Sequence, residues 1–159
     1  MSVCFLLLGT NMGEKETNLQ QAFGRISNEI GQVITASSIY RTSAWGKEDQ
    51  EDFLNQVLKV ETDCVPVEVL RICLTIEKEL GRVRYERWGT RLIDIDVLYY
   101  DKEVINQSNL VIPHPQIQNR RFTLVPLVEI ARDFVHPVLG KSQLDLLEEC
   151  KDVLEVKSV

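Results

Sequence analysis

The sequence predicts an α+β fold, an antiparallel sheet carrying helices, and three observations predict it. Apolar runs of strand length and segments of helical period follow one another in the order β-α-β-β-α-β over residues 1–100. Glycine, proline and short polar clusters punctuate the joints between them. At 159 residues the chain can bury one sizeable core, about 70 % of its unfolded surface, without disulfide or metal staples. With 44 % hydrophobic and 26 % charged residues its composition is globular, which excludes collagen-like, coiled-coil and wholly disordered classes.

Val3 to Leu8 is an unbroken apolar run closed by Gly9-Thr10-Asn11, the pattern of a strand buried on both faces. From Thr17 to Ile30, Leu19, Ala22, Phe23, Ile26 and Ile30 recur at helical spacing, and Gly31 stops the helix. Val33 to Thr42 is rich in β-branched residues and reads as a second strand, followed by a charged loop from Ser43 to Asp52. Phe53 to Thr62 alternates, with Leu54, Leu58 and Val60 facing one way, and predicts a third strand antiparallel to the second.

Pro66 suits a first helical turn, and Val69, Leu70, Cys73, Ile76 and Leu80 form the buried stripe up to Gly81. After a basic segment, Leu92 to Tyr100 is again a strand, which Asp101-Lys102 turns into a hairpin with Glu103-Val104-Ile105. This order is that of the ferredoxin-like split βαβ fold. The rest of the chain holds a short strand (Leu110 to Ile112), Pro113-His114-Pro115, and helical segments near 121–131 and 143–150. These additions are too short for a separate domain and are expected to cover the other sheet face. Residues 1–159 therefore read as a single-domain α/β/α sandwich.

The formal net charge of −6, from 24 acidic and 18 basic residues, argues against a general nucleic-acid binder, which needs a broad basic face. Cysteines 4, 64, 73 and 150 form no Cys-x-x-Cys pair and sit among apolar neighbours, as small buried hydrophobes do. The start of the chain has no basic region before its short apolar run, and no stretch reaches the roughly 18 apolar residues of a membrane span. A cytoplasmic protein with no membrane partner is expected.

Asp94 and Asp96 carry the most information. On a strand, both carboxylates share one face while Ile93, Ile95 and Val97 take the other. Two like charges on one strand face repel, so a cation must offset them. A hard divalent metal suits, since Mg²⁺ uses few carboxylates; bridging arginines or solvation at a strand edge are the alternatives. Just before this strand, Arg82, Arg84, Arg87 and Arg91 place four of the ten arginines within ten residues. Guanidinium forks suit phosphate, and phosphoryl transfer relies on such clamps beside metal ions. The adjacency of arginines and acids, more than either motif, points to a metal–polyphosphate site.

Trp45 and Trp88 lie in the two charged loops, Phe53 opens a strand, and Phe122 follows Arg120-Arg121. Flat heterocycles are held between aromatic faces, although by sequence alone ordinary core packing is the stronger reading of Phe53 and Phe122. Asn55 shares a strand face with Phe53 and has both donors and an acceptor for a ring edge. The Pro-His-Pro frame aims His114 near Arg120, where it can donate to phosphate; His136 reads as structural. The sequence contains neither Gly-x-x-x-x-Gly-Lys-Ser/Thr nor Gly-x-Gly-x-x-Gly, which excludes P-loop and Rossmann cradles.

These residues resemble a known family. The run Gly81-Arg-Val-Arg-Tyr-Glu-Arg-Trp-Gly-Thr-Arg-Leu-Ile-Asp-Ile-Asp96 is similar to the signature of the 6-hydroxymethyl-7,8-dihydropterin pyrophosphokinases of folate biosynthesis. The likeness extends to Leu8-Gly-Thr-Asn11, Ser38-Ile-Tyr-Arg-Thr42, Phe53-Leu-Asn55, Val111-Ile-Pro-His114, and Asn119-Arg120 through Phe122. The resemblance implies ATP-dependent transfer of a diphosphoryl group to the pterin hydroxymethyl oxygen, with release of AMP. It implies two Mg²⁺ ions on Asp94 and Asp96, and Arg82 and Arg91 catalytic beside that pair. Arg82, Arg84, Arg87, Arg91, His114 and Arg120 would then surround ATP and its phosphates. Thr42, Ser43, Ala44, Trp45, Phe53, Asn55, Trp88 and Phe122 would form the pterin site, with Arg87 and Trp88 in the loop that closes over it. A monomer is expected, with ATP and the pterin as partners and no nucleic acid.

The chain departs from family habit at four places. Its arginine loop is one residue shorter than in some members, Thr90 stands where proline is common, Phe53 replaces a frequent tyrosine, and Pro115 stands where some relatives have tyrosine. A non-catalytic ferredoxin-like metal or ligand-binding module and an RNA-binding sheet are the competing readings. The first does not explain why arginines, acids and tryptophans converge. In the second, carboxylates on the binding face would repel phosphate.

Overall fold

The structure, a computed structural model, describes residues 1–43, 52–82 and 92–159, with Arg82 described in its backbone alone. In chain order the elements are β1 (Ser2–Thr10), α1 (Lys15–Glu29), β2 (Gly31–Ala36), β3 (Tyr40–Thr42), β4 (Phe53–Thr62), α2 (Pro66–Arg82) and β5 (Asp94–Tyr100). Then come β6 (Ile105–Asn106), β7 (Val111–Ile112), a 3-10 turn (Ile117–Asn119), α3 (Arg121–Ala131), α4 (Gln143–Glu149) and β8 (Val156–Ser158).

β1 lies between β5 and β4 in an antiparallel sheet, and β2 and β3 both pair with the far edge of β4. That strand order is the ferredoxin-like core predicted from sequence. The unbroken apolar run of β1 is explained by its central place: its residues face two cores in alternation. Leu6 and Leu8 pack with Leu19, Ile26, Val69 and Ile76 of α1 and α2. Phe5 and Leu7 pack on the opposite face with Leu124 and Leu127 of α3 and Leu146 of α4. Each fully buried Leu contributes roughly 1.5–3 kcal/mol, so both layers hold the sheet. The additions after residue 100 thus cover the second face, as expected.

Four local readings change. The predicted second strand is two, broken at Ser37–Ile39. Buried Ser37 accepts the Val57 N–H through its Oγ (2.9 Å), while its own N–H donates to the Val57 carbonyl (2.9 Å). A serine side chain that bonds backbone in place of the ladder interrupts a strand, and propensity does not reveal it. Nor does Asp101 turn β5 into a hairpin. With φ 48°, it donates its N–H to the Val3 carbonyl (2.7 Å) and accepts the Val3 N–H on Oδ1 (2.8 Å), which ends β5 against β1. Ile105 then pairs with Ile112 in a separate two-stranded ribbon of β6 and β7. The strand expected from Leu92 begins at Asp94, and β8, unread in the sequence, adds to the free side of β3.

All four cysteines are free; Cys4 and Cys73 are buried, and burial pushes the Cys4 thiol up to about 12. Those two act as small buried hydrophobes, as expected, whereas Cys64 and Cys150 are only partly buried and the Cys64 Sγ donates to the Ile30 carbonyl (3.7 Å). His136 is buried, and its Nδ1 accepts the N–H groups of Val138 and Leu139 (3.1 Å each), the structural role expected of it. Among the described residues no helix is long and apolar enough to cross a membrane.

Candidate active site

The register of three neighbouring strands builds the floor of a cavity of about 330 Å³ on the α3 side of the sheet. Gly9 on β1 stands between Asn55 on β4 and Asp94 on β5. Asp96, one pleat along, faces Leu7 across the strands and shares the Asp94 face. The carboxylates therefore lie on one face while Ile95 and Val97 enter the opposite core, as alternation required.

The register gives Gly9, within the Leu8-Gly-Thr-Asn11 motif, its physical reason. A Cβ there would lie 2.8 Å from the Asn55 Oδ1, closer than a carbon can sit. The missing side chain leaves room for the Asn55 amide, which is 3 % exposed and donates through Nδ2 to the Thr42 Oγ (3.3 Å). Thr42 pairs with Phe53 across β3 and β4, so donor, acceptor and ring stand within a few residues of one another. Phe122, in the first turn of α3, lines the same cavity as Phe53.

Arg120 precedes α3 in extended conformation (φ −125°, ψ 106°), so its side chain leaves the helix line and reaches the cavity. Its guanidinium carbon lies 5.6 Å from the Phe122 ring centroid, a cation–π distance. His114 is aimed by its backbone: its N–H donates to the Leu98 carbonyl of β5 (2.9 Å), and its Nδ1 accepts the Gln116 N–H (3.1 Å). The hydrogen on Nε2 then faces Asp96, whose Oδ2 is 3.9 Å away. Burial lowers the His114 pKa below its ordinary value, Asp96 pulling it up and Arg120 pushing it down. Because Nδ1 accepts the Gln116 N–H, the neutral ring carries its hydrogen on Nε2.

Two polar groups behind the sheet hold this edge in place and were not picked out from sequence. Glu77 of α2 is buried and accepts the Ile95 N–H on Oε2 (2.6 Å), between the two aspartates. A lone acid on the apolar stripe of α2 is the signal that marks it. Thr10 donates to the Leu92 carbonyl (2.7 Å) and accepts from Asn18 (3.2 Å), tying the entry to β5 to β1 and α1.

Of the predicted site residues, Thr42, Ser43, Phe53, Asn55, Asp94, Asp96, Arg120 and Phe122 line one cavity, with His114 against Asp96. Ala44, Trp45, Arg84, Arg87, Trp88 and Arg91 lie outside the described residues, as does the Arg82 side chain. A larger hollow of about 880 Å³, also bordered by Arg120 and Phe122, has neither the paired aspartates nor Asn55 on its walls.

The sequence matches the 7,8-dihydro-6-hydroxymethylpterin-pyrophosphokinase (HPPK) family over residues 5–132. The chain belongs to this family. A pyrophosphokinase of Methylorubrum extorquens, named for 2-amino-4-hydroxy-6-hydroxymethyldihydropteridine, is 44 % identical over 136 residues, 85 % of this chain and 86 % of the relative. The Bacillus subtilis protein of the same name is 40 % identical over 132 residues, 82 % of this chain and 79 % of the relative. Membership makes this HPPK a pyrophosphokinase, an enzyme of the transferase class. In structure the chain is similar to the Plasmodium falciparum HPPK-DHPS, with a TM-score of 0.77 at 17 % identity over 93 % of this chain. The chain spans 45 % of that longer protein, and the likeness carries the fold alone.

The donor set of this HPPK fits Mg²⁺. Among the described residues no group of three or more His, Cys, Asp and Glu could cage an ion. Two carboxylates on one open strand face remain, the Asp96 side chain 38 % exposed. Magnesium is characteristically held so, by one or two carboxylates together with substrate phosphates rather than by an all-protein cage.

Proposed function

We propose that the chain catalyses Mg²⁺-dependent transfer of a diphosphoryl group from ATP to the hydroxymethyl oxygen of 6-hydroxymethyl-7,8-dihydropterin. One observation carries the reading: the paired carboxylates open onto the same cavity as Asn55, Phe53 and Phe122. A ring site and a phosphate site share one floor, so acceptor oxygen and phosphorus can meet.

Phe53 and Phe122 would take the flat pterin between them, and the Asn55 amide, fixed by Thr42, would read its donor and acceptor edge. Ser43, with Ala44, Trp45 and Trp88, completes the proposed ring site. The hydroxymethyl oxygen attacks the β-phosphorus; an oxygen–phosphorus bond forms, the bridge from the α-phosphate oxygen to the β-phosphorus breaks, and AMP leaves. The hydroxyl proton goes to solvent. Arg120 and the neutral His114 stabilise phosphate charge by hydrogen bonds, joined in this proposal by Arg82, Arg84, Arg87 and Arg91. Asp94 and Asp96 would hold Mg²⁺, two ions in this proposal, which would supply charge neutralisation for the phosphates.

Residues 1–159 are proposed to act as one pyrophosphokinase domain, a cytoplasmic monomer with no nucleic-acid or membrane partner. The test is the nucleotide released. Incubation with ATP, Mg²⁺ and the pterin is expected to yield AMP, and none when either metal or pterin is omitted. ADP in place of AMP, or intact ATP beside folded protein, contradicts the proposal.

A further inference from the structure

The segment after α4 mixes four charges with three aliphatic residues between Lys151 and Lys157, and one of those aliphatic side chains enters the ring site. Leu154 lines the cavity with Phe53, Asn55 and Phe122, while its neighbour Val153 is 92 % exposed. Such alternation in a stretch that crosses no core means that position 154 is held inward by its anchors.

There are two anchors, one on each side of Leu154. Before it, Asp152 accepts the Leu154 N–H on Oδ1 (2.9 Å) and the Arg121 N–H on Oδ2 (3.1 Å). A carboxylate thereby satisfies one orphan N–H of α3, next to the residue that carries the Phe122 ring. After it, β8 pairs with β3, Val156 facing Thr42. The segment is thus tied to both walls of the ring site, α3 and β3. It also lies beyond residues 5–132, where the family match ends.

We infer that Leu154 is a specificity-determining residue: it walls the ring site beside Phe122 and Thr42 and sets how tightly the pterin is held. The inference rests on the proposed ring site. An aliphatic side chain against a heterocycle removes apolar area from water on both partners, and it gives nothing to a triphosphate. Its effect is therefore confined to one of the two substrates.

The experiment compares Leu154→Ala, Asp152→Ala and the exposed control Val153→Ala with the parent chain. Equilibrium binding of 6-hydroxymethyl-7,8-dihydropterin, read by fluorescence quenching, is measured beside steady-state kinetics and thermal melting. Leu154→Ala is expected to weaken pterin binding about tenfold, with the KM for ATP and the melting temperature unchanged. Asp152→Ala, which frees the segment, moves pterin binding the same way, and Val153→Ala does not. Unchanged pterin binding in Leu154→Ala overturns the inference. So does a parallel weakening of both substrates with a lowered melting temperature, which makes the residue merely structural. Pterin binding without turnover in the parent chain defeats the transferase proposal and leaves Leu154 to be judged by binding alone. A parent chain that binds no pterin overturns both.

Discussion

His114 and Asp96 meet, Nε2 to Oδ2 at 3.9 Å, because the His114 backbone N–H is bonded to the carbonyl of Leu98, two residues beyond Asp96 on the same strand. The segment after β7 is docked onto β5, and this docking sets the imidazole beside a carboxylate of the acid pair. Phosphate charge and metal charge would meet there, with a neutral donor between the strand and Arg120.

Asp96→Ala, with Asp94→Ala as its companion, removes half of the donor set on β5. Turnover is expected to fall about a hundred- to a thousandfold. Because Asp94 is exposed and the Asp96 side chain is 38 % exposed, the melting temperature should barely move. Turnover by rapid quench beside thermal melting checks both halves, and near-parental turnover contradicts the metal role.

Gly9→Ala places a carbon against the Asn55 Oδ1 and displaces the amide from its bond to Thr42. A cost of about 1–3 kcal/mol in stability and a higher pterin KM at unchanged ATP KM are expected. The decisive check is a double-mutant cycle with Asn55→Ala. Residues in contact couple, so the two effects on KM should be far from additive. Additive effects separate Gly9 from the ring site.

Glu129 of α3 accepts the Ser38 N–H and hydroxyl (2.9 Å each) and the Tyr40 hydroxyl (2.6 Å). Desolvation by its neighbours works to raise its pKa, but these donors outweigh it and hold the carboxylate below its ordinary value. Burial and the same contact push the Tyr40 phenol up to about 12. The contact grips β3 just before Thr42. Glu129→Ala is expected to cost about 1–2 kcal/mol, the site being exposed, and to raise the pterin KM. Glu129→Gln, which keeps the acceptor, should recover much of both. Denaturant unfolding and kinetics of the two variants test it.

Acid is expected to destabilise this fold through its histidines. Burial lowers the His136 pKa from 6.5, and its Nδ1 accepts two backbone N–H groups that only the unprotonated nitrogen can receive. The unfolded chain binds this proton more readily than the folded one, so this stability is fully present above pH 6.5 and is lost as pH falls below it through the lowered folded pKa. His114, lowered mainly by burial, adds in the same direction. Melting temperatures from pH 7.5 to 5.5 should fall, and fall less in His136→Asn, whose amide oxygen accepts without titrating. A flat profile in the parent chain contradicts this.

Much of the fold is written locally. The doubly buried run of β1 and the stripe of α2 can be read because period and burial coincide. The break at Ser37 cannot, since it depends on a bond to Val57, and β8 cannot, since Val156-Lys157-Ser158 has no pattern until β3 offers its edge. The same division runs through the site. Asp94 and Asp96 follow from alternation along one strand. Gly9 acquires meaning only from its register with Asn55, Glu77 only from its bond to Ile95, and Leu154 only from anchors on α3 and β3. Local residue order shows which chemistry is present; pairing across the sheet shows which residues share it.

The most direct measurement follows the β-phosphorus. With ATP labelled at that atom, Mg²⁺ and 6-hydroxymethyl-7,8-dihydropterin, the label is expected to move to the pterin product while unlabelled AMP accumulates. Label retained in ADP would mean that the γ-phosphoryl group alone is transferred, and the site described here would not be that of a diphosphoryl transferase.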